Sequence, residues 1–404
     1  MLRLLSERES GILSPLILRR AETARRNFSL ELSKYKDVEV SHKGGVNSLD
    51  IDVAENRYLL SGCSDSTVAI HDVLSKTGEV KETFPQVCSV SHNPGSQKHG
   101  VETVQWYPMD TGMFTTSGAD FQLKIWDTNR LEIADDYTFS GLVYSHHMSL
   151  IARKHCLIAV GAGRSTVKLV DIKSGSASHQ LKGHDAPVYS VRWSSKDEFL
   201  LATGGTDRKV ILWDIRKAKG HLMALDQHNG EQATNTKDAK VAHDSTVNSI
   251  HFTPDGLHLV TYGTDNQIRL WNTATGKNIM VNYGMVTNTV KKAVQSSIYS
   301  ASSPQVLFVP SDSNIQVFDL FKGIHLATLS GHYNIVNCCV SHLDSQYLFS
   351  GGSDRNILVW VPSTETEDYE DHLRTDSKDC VVEGRGVKRT IATADAWSSD
   401  EDET

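Results

Sequence analysis

In VYSVRW, residues 188–193, Val188, Ser190 and Arg192 alternate with Tyr189, Val191 and Trp193. A period of two sends successive side chains to opposite faces of an extended chain, so the stretch predicts a short strand. Turns carrying glycine and aspartate follow it, and then a second and a third run. The whole pattern recurs in GHDAPVYSVRWSSKDEFLLATGGTDRKVILWD (183–214), AHDSTVNSIHFTPDGLHLVTYGTDNQIRLWN (242–272) and GHYNIVNCCVSHLDSQYLFSGGSDRNILVW (331–360). Each copy carries a histidine at its start, passes a Ser/Thr-Xaa-Gly group, reaches an aspartate and closes on a tryptophan six residues later. SGCSDSTVAIHD (61–72) and TSGADFQLKIWD (116–127) keep the second half, and AVGAGRSTVKLVD (159–171) and LFVPSDSNIQVFD (307–319) are degenerate copies.

That makes seven units, closing at Asp72, Asp127, Asp171, Asp214, Asn272, Asp319 and Val361, spaced 55, 44, 43, 58, 47 and 42 residues apart. The period is that of a WD repeat with two longer loops, SHNPGSQKHG (91–100) and DQHNGEQATNTKDAK (226–240). One four-stranded unit cannot bury both faces alone, so units stack radially into a ring. The expected fold is all-β, a seven-bladed WD-repeat β-propeller over 37–361. The last repeat lacks an outer strand, and DVEV (37–40), ahead of the first repeat, is expected to supply it and close the ring. Truncation through residue 40 should then destroy the fold, and truncation after about 365 should not.

Two segments lie outside the ring. Residues 1–30 are compatible with short helices, with Ser14 as a cap and Pro15 at the first helical position. Ile17, Ala21, Ala24 and Phe28 form one candidate apolar face, alternating with Leu16, Arg20, Thr23 and Asn27. The extension either packs under the propeller or waits for a partner. Residues 362–404 are polar and end DAWSSDEDET, the composition of a flexible acidic tail. Ser398 and Ser399, followed directly by acidic residues, are candidate phosphorylation sites, set against the simpler reading of a solvated tail.

The residues that look catalytic repeat with the blades. His184, Thr203, Asp207 and Trp213 recur as His243, Thr261, Asp265 and Trp271 and as His332, Ser350, Asp354 and Trp360. The first repeat offers His42, Ser61 and Asp65, with His71 in place of the tryptophan. A hydrolase needs one triad, not one per structural unit. Recurrence points instead to a buried hydrogen-bond chain from Asp to His to Ser/Thr to indole. There is no P-loop motif, and the adjacent His146 and His147 are a weak metal signal. Cysteines at 63, 88, 156, 338, 339 and 380 contain no CxxC pair, so neither structural zinc nor any cofactor is expected. A net charge of −8 gives no support to broad phosphate binding, and direct sequence-specific reading of DNA is not expected. Without a signal-like N-terminus or a long apolar run, the chain is expected to be soluble and intracellular.

Arg216 follows the strand VILWD and is not needed by it. Its planar fork either tethers a neighbouring loop or docks another protein. WDIR resembles the WDxR box of propellers that serve as substrate receptors in cullin–RING ubiquitin ligases, and one of the seven repeats carries it. PLILRRAETARRNFSLEL, VETVQWYPMDTGMFTTSGAD, VYSHHMS, LDQHNG, TPDGLHLVTYGTDN, MVNYG and DAWSSDEDE lie outside the generic repeat, and in them the chain resembles the Cockayne syndrome group A family. The resemblance implies a non-catalytic nuclear subunit acting in transcription-coupled nucleotide excision repair. It implies binding to a ligase adaptor, the large subunit of the UV-damaged-DNA-binding complex, and through it to cullin and RING subunits. It also implies association with the Cockayne syndrome group B ATPase and stalled RNA polymerase II. Carried onto this chain, adaptor contacts would fall on Leu16, Ile17, Arg20, Ala21, Ala24, Phe28 and Arg216. The alternative is a WD-repeat scaffold of another nuclear complex, in chromatin or RNA processing. A propeller enzyme is the remaining class, and no residue set favours it.

Overall fold

A computed structural model describes residues 6, 8–11, 14–75, 81–90, 99–217, 221–230 and 241–363. Their strands form seven antiparallel blades, as the repeat count predicts. Blade 4 is typical. Val188–Trp193 lies innermost, followed by Leu200–Gly205, Val210–Asp214 and His221–Ala224 at the rim. Blade 5 has three regular strands, and its rim position is taken by an irregular run in which the Ile279 N–H donates to the Leu270 carbonyl. The core lies between blades. Val188, Val191, Trp193 and Trp213 of blade 4 pack with Ala159, Val167 and Leu169 of blade 3.

Strict alternation is interrupted at the centre. The innermost strands of blades 1, 2, 3, 4, 5 and 7 share a register shift after their first residue. A bulge of this kind turns one extra residue and re-aims the side chains after it. Val188 therefore joins Val191 and Trp193 in the core, not Ser190 and Arg192 as simple alternation assigns it. Ser190 and Arg192 line the axial channel instead.

The closing strand is not DVEV. Leu30–Leu32 pairs antiparallel with Ile357–Pro362, placing Glu31 opposite Val361 and Leu32 opposite Trp360. The Ser33 N–H to Val359 carbonyl and Ser363 N–H to Ser29 carbonyl bonds extend the pairing at both ends. Leu30 enters the cluster of Trp360, Leu348 and Val306, which stabilises this register. Within 37–40, Val38 is buried but Val40 is 79% exposed. Lys36–Val38 runs parallel to Glu82–Phe84, and Val38 and Phe84 pack on Phe349, Val359 and Val361. It is a wedge at the junction of the first and last blades. LEL follows the helix so closely that in sequence it reads as the end of the extension.

The N-terminal helix spans Pro15–Phe28. Ser14 caps it, its hydroxyl accepting from the Ile17 N–H at 3.4 Å, and Pro15 costs no hydrogen bond at its first position. Thr23, Ala24 and Asn27 are its buried face. Among the described residues, no helix is long and apolar enough to cross a membrane.

Candidate functional site

The triad-like residues form the expected relay in three blades. In blade 4 the Trp213 indole N–H donates to Thr203 Oγ1 at 2.8 Å, and Thr203 Oγ1 lies 2.7 Å from His184 Nε2. His184 Nδ1 reaches both Asp207 oxygens at 2.9 and 3.0 Å. The same relay runs through Trp271, Thr261, His243 and Asp265 in blade 5. Trp360, Ser350, His332 and Asp354 complete it in blade 7. The carboxylate can only accept, so the proton that faces it sits on Nδ1, and the hydroxyl takes the indole N–H. Burial alone would raise the Asp265 carboxyl, but hydrogen bonding and attraction from His243 and Arg269 outweigh it and leave it lowered. Asp265→Ala strips both partners of their buried anion. Urea unfolding should show a loss of about 3 kcal/mol.

Blade 1 departs from this relay. His42 Nε2 meets Ser61 Oγ at 2.7 Å, but Nδ1 meets Thr67 Oγ1, which in turn donates to Asp65. His71 does not take the indole's role. Its Nε2 faces the Glu39 carbonyl at 3.1 Å and Ser41 Oγ at 3.4 Å. An imidazole is too short to reach Ser61 from the tryptophan position.

A second polar cluster lines the axis, and the repeat pattern did not reveal it. Asp50, Gln105, His147, Arg192 and His251 each stand fifth in an innermost strand: VNSLDI, VETVQW, VYSHHM, VYSVRW and VNSIHF. That shared polar fifth position was the available signal. The channel cavity, about 50 Å³, has room for a few waters. Burial raises the Asp50 carboxyl to about 7 against the Trp106 N–H and Arg192, which oppose it. Burial likewise drives His146 down to about 3 and His251 to about 4, aided by Arg192. The adjacent histidines are staples rather than a metal pair. His146 holds the Thr115 and Ser117 hydroxyls of blade 2 at 2.8 and 2.7 Å, and His147 Nδ1 accepts the Trp193 N–H of blade 4 at 3.1 Å. Neighbours in a strand face opposite ways, so one pair ties blade 3 to both its neighbours.

The predicted docking residues divide. Leu16 and Ile17 are 69% and 55% exposed, and Arg20 and Ala21 are also exposed. Ala24 is 4% exposed, and Phe28 packs against the cluster around Leu30 and Trp360. Ile17, Ala21, Ala24 and Phe28 are therefore not one free face. The helix turns its C-terminal half inward, with Thr23 Oγ1 accepting from Gln346 Nε2 at 3.4 Å. Gln346 lies between the first and second strands of blade 7.

Arg216 lies on the same face of the ring, just past the third strand of blade 4. Its Nε and Nη2 donate to the two Asp214 oxygens, both at 2.9 Å, and its guanidinium stacks 4.8 Å over Phe199. The side chain is still 55% exposed. Asp214 thus holds the arginine on the Phe199 ring, with Asp197 Oδ2 3.9 Å from Nη2. Arg153, Lys154 and Lys196 line the same open depression. Ser398, Ser399 and most of the two long loops (91–98 and 231–240) lie outside the described residues.

Comparison with known proteins agrees with this geometry. The family described as WD domain, G-beta repeat, matches residues 35–72, 175–214, 236–272 and 323–361. Those are the blades that carry the four histidine networks. WD repeat-containing protein ATCSA-1 of Arabidopsis thaliana is 32% identical, over 90% of this chain and 96% of its own length. Radiation-sensitive protein 28 of Saccharomyces cerevisiae is 23% identical over 55% of this chain and 46% of its own length. The human Denticleless protein homolog is 28% identical over 51% of this chain and 32% of its own length.

Proposed function

The chain belongs to the WD-repeat family of Arabidopsis ATCSA-1, and on that premise we propose that it is the substrate-recognition subunit of a cullin–RING ubiquitin ligase acting in transcription-coupled nucleotide excision repair in the nucleus. The propeller is of a kind typical of non-catalytic scaffolds, and its triad-like sets are used up in holding blades together. Its role is then to bind the adaptor, the large subunit of the UV-damaged-DNA-binding complex. The group B ATPase and stalled RNA polymerase II are its proposed associates on the substrate side.

One observation carries this reading. An exposed apolar helix start, Leu16 and Ile17, and an exposed arginine seated on an aromatic ring lie on one face of the ring. Arginine and large apolar side chains on a rigid support are what binding hot spots are made of. Arg216→Glu, and separately the pair Leu16→Glu and Ile17→Glu, should each weaken capture of the purified adaptor by tenfold or more, about 1.4 kcal/mol. Circular dichroism should stay unchanged, because these side chains face solvent. Unweakened capture by both variants would count against the reading, and recovery of chromatin or RNA-processing complexes without ligase subunits would favour a different scaffold.

A further inference from the structure

Blade 1 differs from blades 4, 5 and 7 at three positions of its histidine network. The residue two before the network aspartate is Gly205, Gly263 and Gly352 in those blades, and Cys63 in blade 1. A Cβ at Gly263 would lie 2.7 Å from both Asp265 Oδ1 and His243 Nδ1, and one at Gly352 would crowd Asp354 and His332 equally. A direct His–Asp bond therefore requires glycine there. In blade 1 the side chain is present, and the bond is replaced by the detour through Thr67, where the other blades have Lys209, Gln267 and Asn356. The third change is His71. With no indole donating to Ser61 Oγ, both lone pairs of that hydroxyl are open, so the ring can shift its proton from Nδ1, where Thr67 Oγ1 now accepts it, to Nε2 facing Ser61 Oγ.

We propose that His42 Nδ1, Cys63 Sγ and the Asp65 carboxylate form a site for one divalent cation of the zinc class. The donor atoms of the three residues all lie within 4.8 Å of one another. Tetrahedral zinc with bonds of about 2.0–2.3 Å to N, O and S holds its donors roughly 3.5 Å apart, so closure takes a shift of about an ångström. The mixed N, S and O set suits a borderline-soft ion.

The surrounding groups orient these donors. His42 Nε2 would donate to Ser61 Oγ, now 2.7 Å away, and Ser61 Oγ donates onward to the Ala69 carbonyl at 3.2 Å. One Asp65 oxygen is held by the Lys43 and Gly44 N–H groups at 2.7 and 3.2 Å. The Thr67 hydroxyl must turn away from His42, and it or a water fills the fourth position. A neutral imidazole only moves its proton from Nδ1 to Nε2 on binding, whereas a cysteine thiol must lose its proton to become a ligand. Binding therefore releases its proton to solvent, one per ion, as a sulfur–metal bond forms. The expectation of no metal centre came from linear Cys and His spacing, which cannot register ligands at 42, 63 and 65 brought together by a strand turn.

Cobalt(II) titration of the full metal-free chain tests this. A near-ultraviolet thiolate-to-cobalt band should grow to one equivalent and be bleached by zinc, with one proton released per ion. Cys63→Gly installs the residue the other three network blades use, so it should fold and lose the band. Cys63→Ser gives a second reading if the glycine variant is poorly folded. No band in the wild-type chain under excess cobalt, or a band of equal strength in both variants, would overturn the proposal.

Discussion

A chain that begins at Lys34 should fail to fold, although it retains the whole of 37–40. It lacks the strand that completes blade 7, leaving the third strand of that blade as an open edge and Trp360 without Leu30 against it. The cleaner test is Glu31→Pro in the full chain. Glu31 sits opposite Val361 at the middle of a three-residue pairing, and proline has no N–H for the ladder. Thermal unfolding should lose its single sharp transition, or shift down by ten degrees or more. A chain beginning at Asn27 keeps the closing strand but drops most of the helix, and should still melt cooperatively. If the Lys34 chain melted like the full chain, the closing role of Leu30–Leu32 would be wrong.

Acidification should cost nearly as much. Burial holds His42, His71 and His251 at about 4 and His146 at about 3, against an ordinary value near 6.5. Their folded-state values are depressed, so the unfolded chain binds more protons between about pH 6.5 and 4. The stability these groups lend is present above pH 6.5 and is lost as pH falls toward 4. Asp50 acts in the opposite sense. Raised to about 7, it takes up a proton in the folded state first and offsets part of the loss. Four histidines against one carboxyl leave a net loss on the order of 5 kcal/mol between pH 7 and 5. That is comparable to the whole stability of an ordinary domain. Circular dichroism melts at pH 7.5 and 5.0 should show a large drop in Tm. Equal melting points would mean that these rings do not stay neutral in the folded protein. Asp50→Asn should steepen the pH dependence, because it removes the opposing group.

The sequence made the ring legible and its seam illegible. Repeats at 183–214, 242–272 and 331–360 carry their histidine, hydroxyl, aspartate and tryptophan at fixed spacing, so the relay could be read without coordinates. Leu30-Glu31-Leu32 could not be read the same way. Three residues carry almost no period, and their partner lies at the other end of the chain. DVEV has the right alternation, yet its acidic positions suit a surface wedge better than a rim strand. The axial cluster was hidden for a different reason. The bulge shared by six inner strands breaks the rule that alternate residues share a face, so Arg192 was counted with Val188. Arg216 was visible as a residue the strand does not need, whereas its seat on Phe199 and Asp214 required the turn at 197–199 to be folded.

The seam between Leu32 and Trp360 also sets a clock on biosynthesis. The two halves of blade 7 leave the ribosome at opposite ends of translation, at roughly 5–20 residues per second. The N-terminal strand therefore waits roughly 15–65 s for its partner, and the ring cannot shut until Ile357–Pro362 has emerged. During that interval the nascent chain is a row of stacked blades with an unpaired edge, the kind of intermediate that chaperones bind. A premature stop anywhere before Ile357 would leave it in that condition permanently.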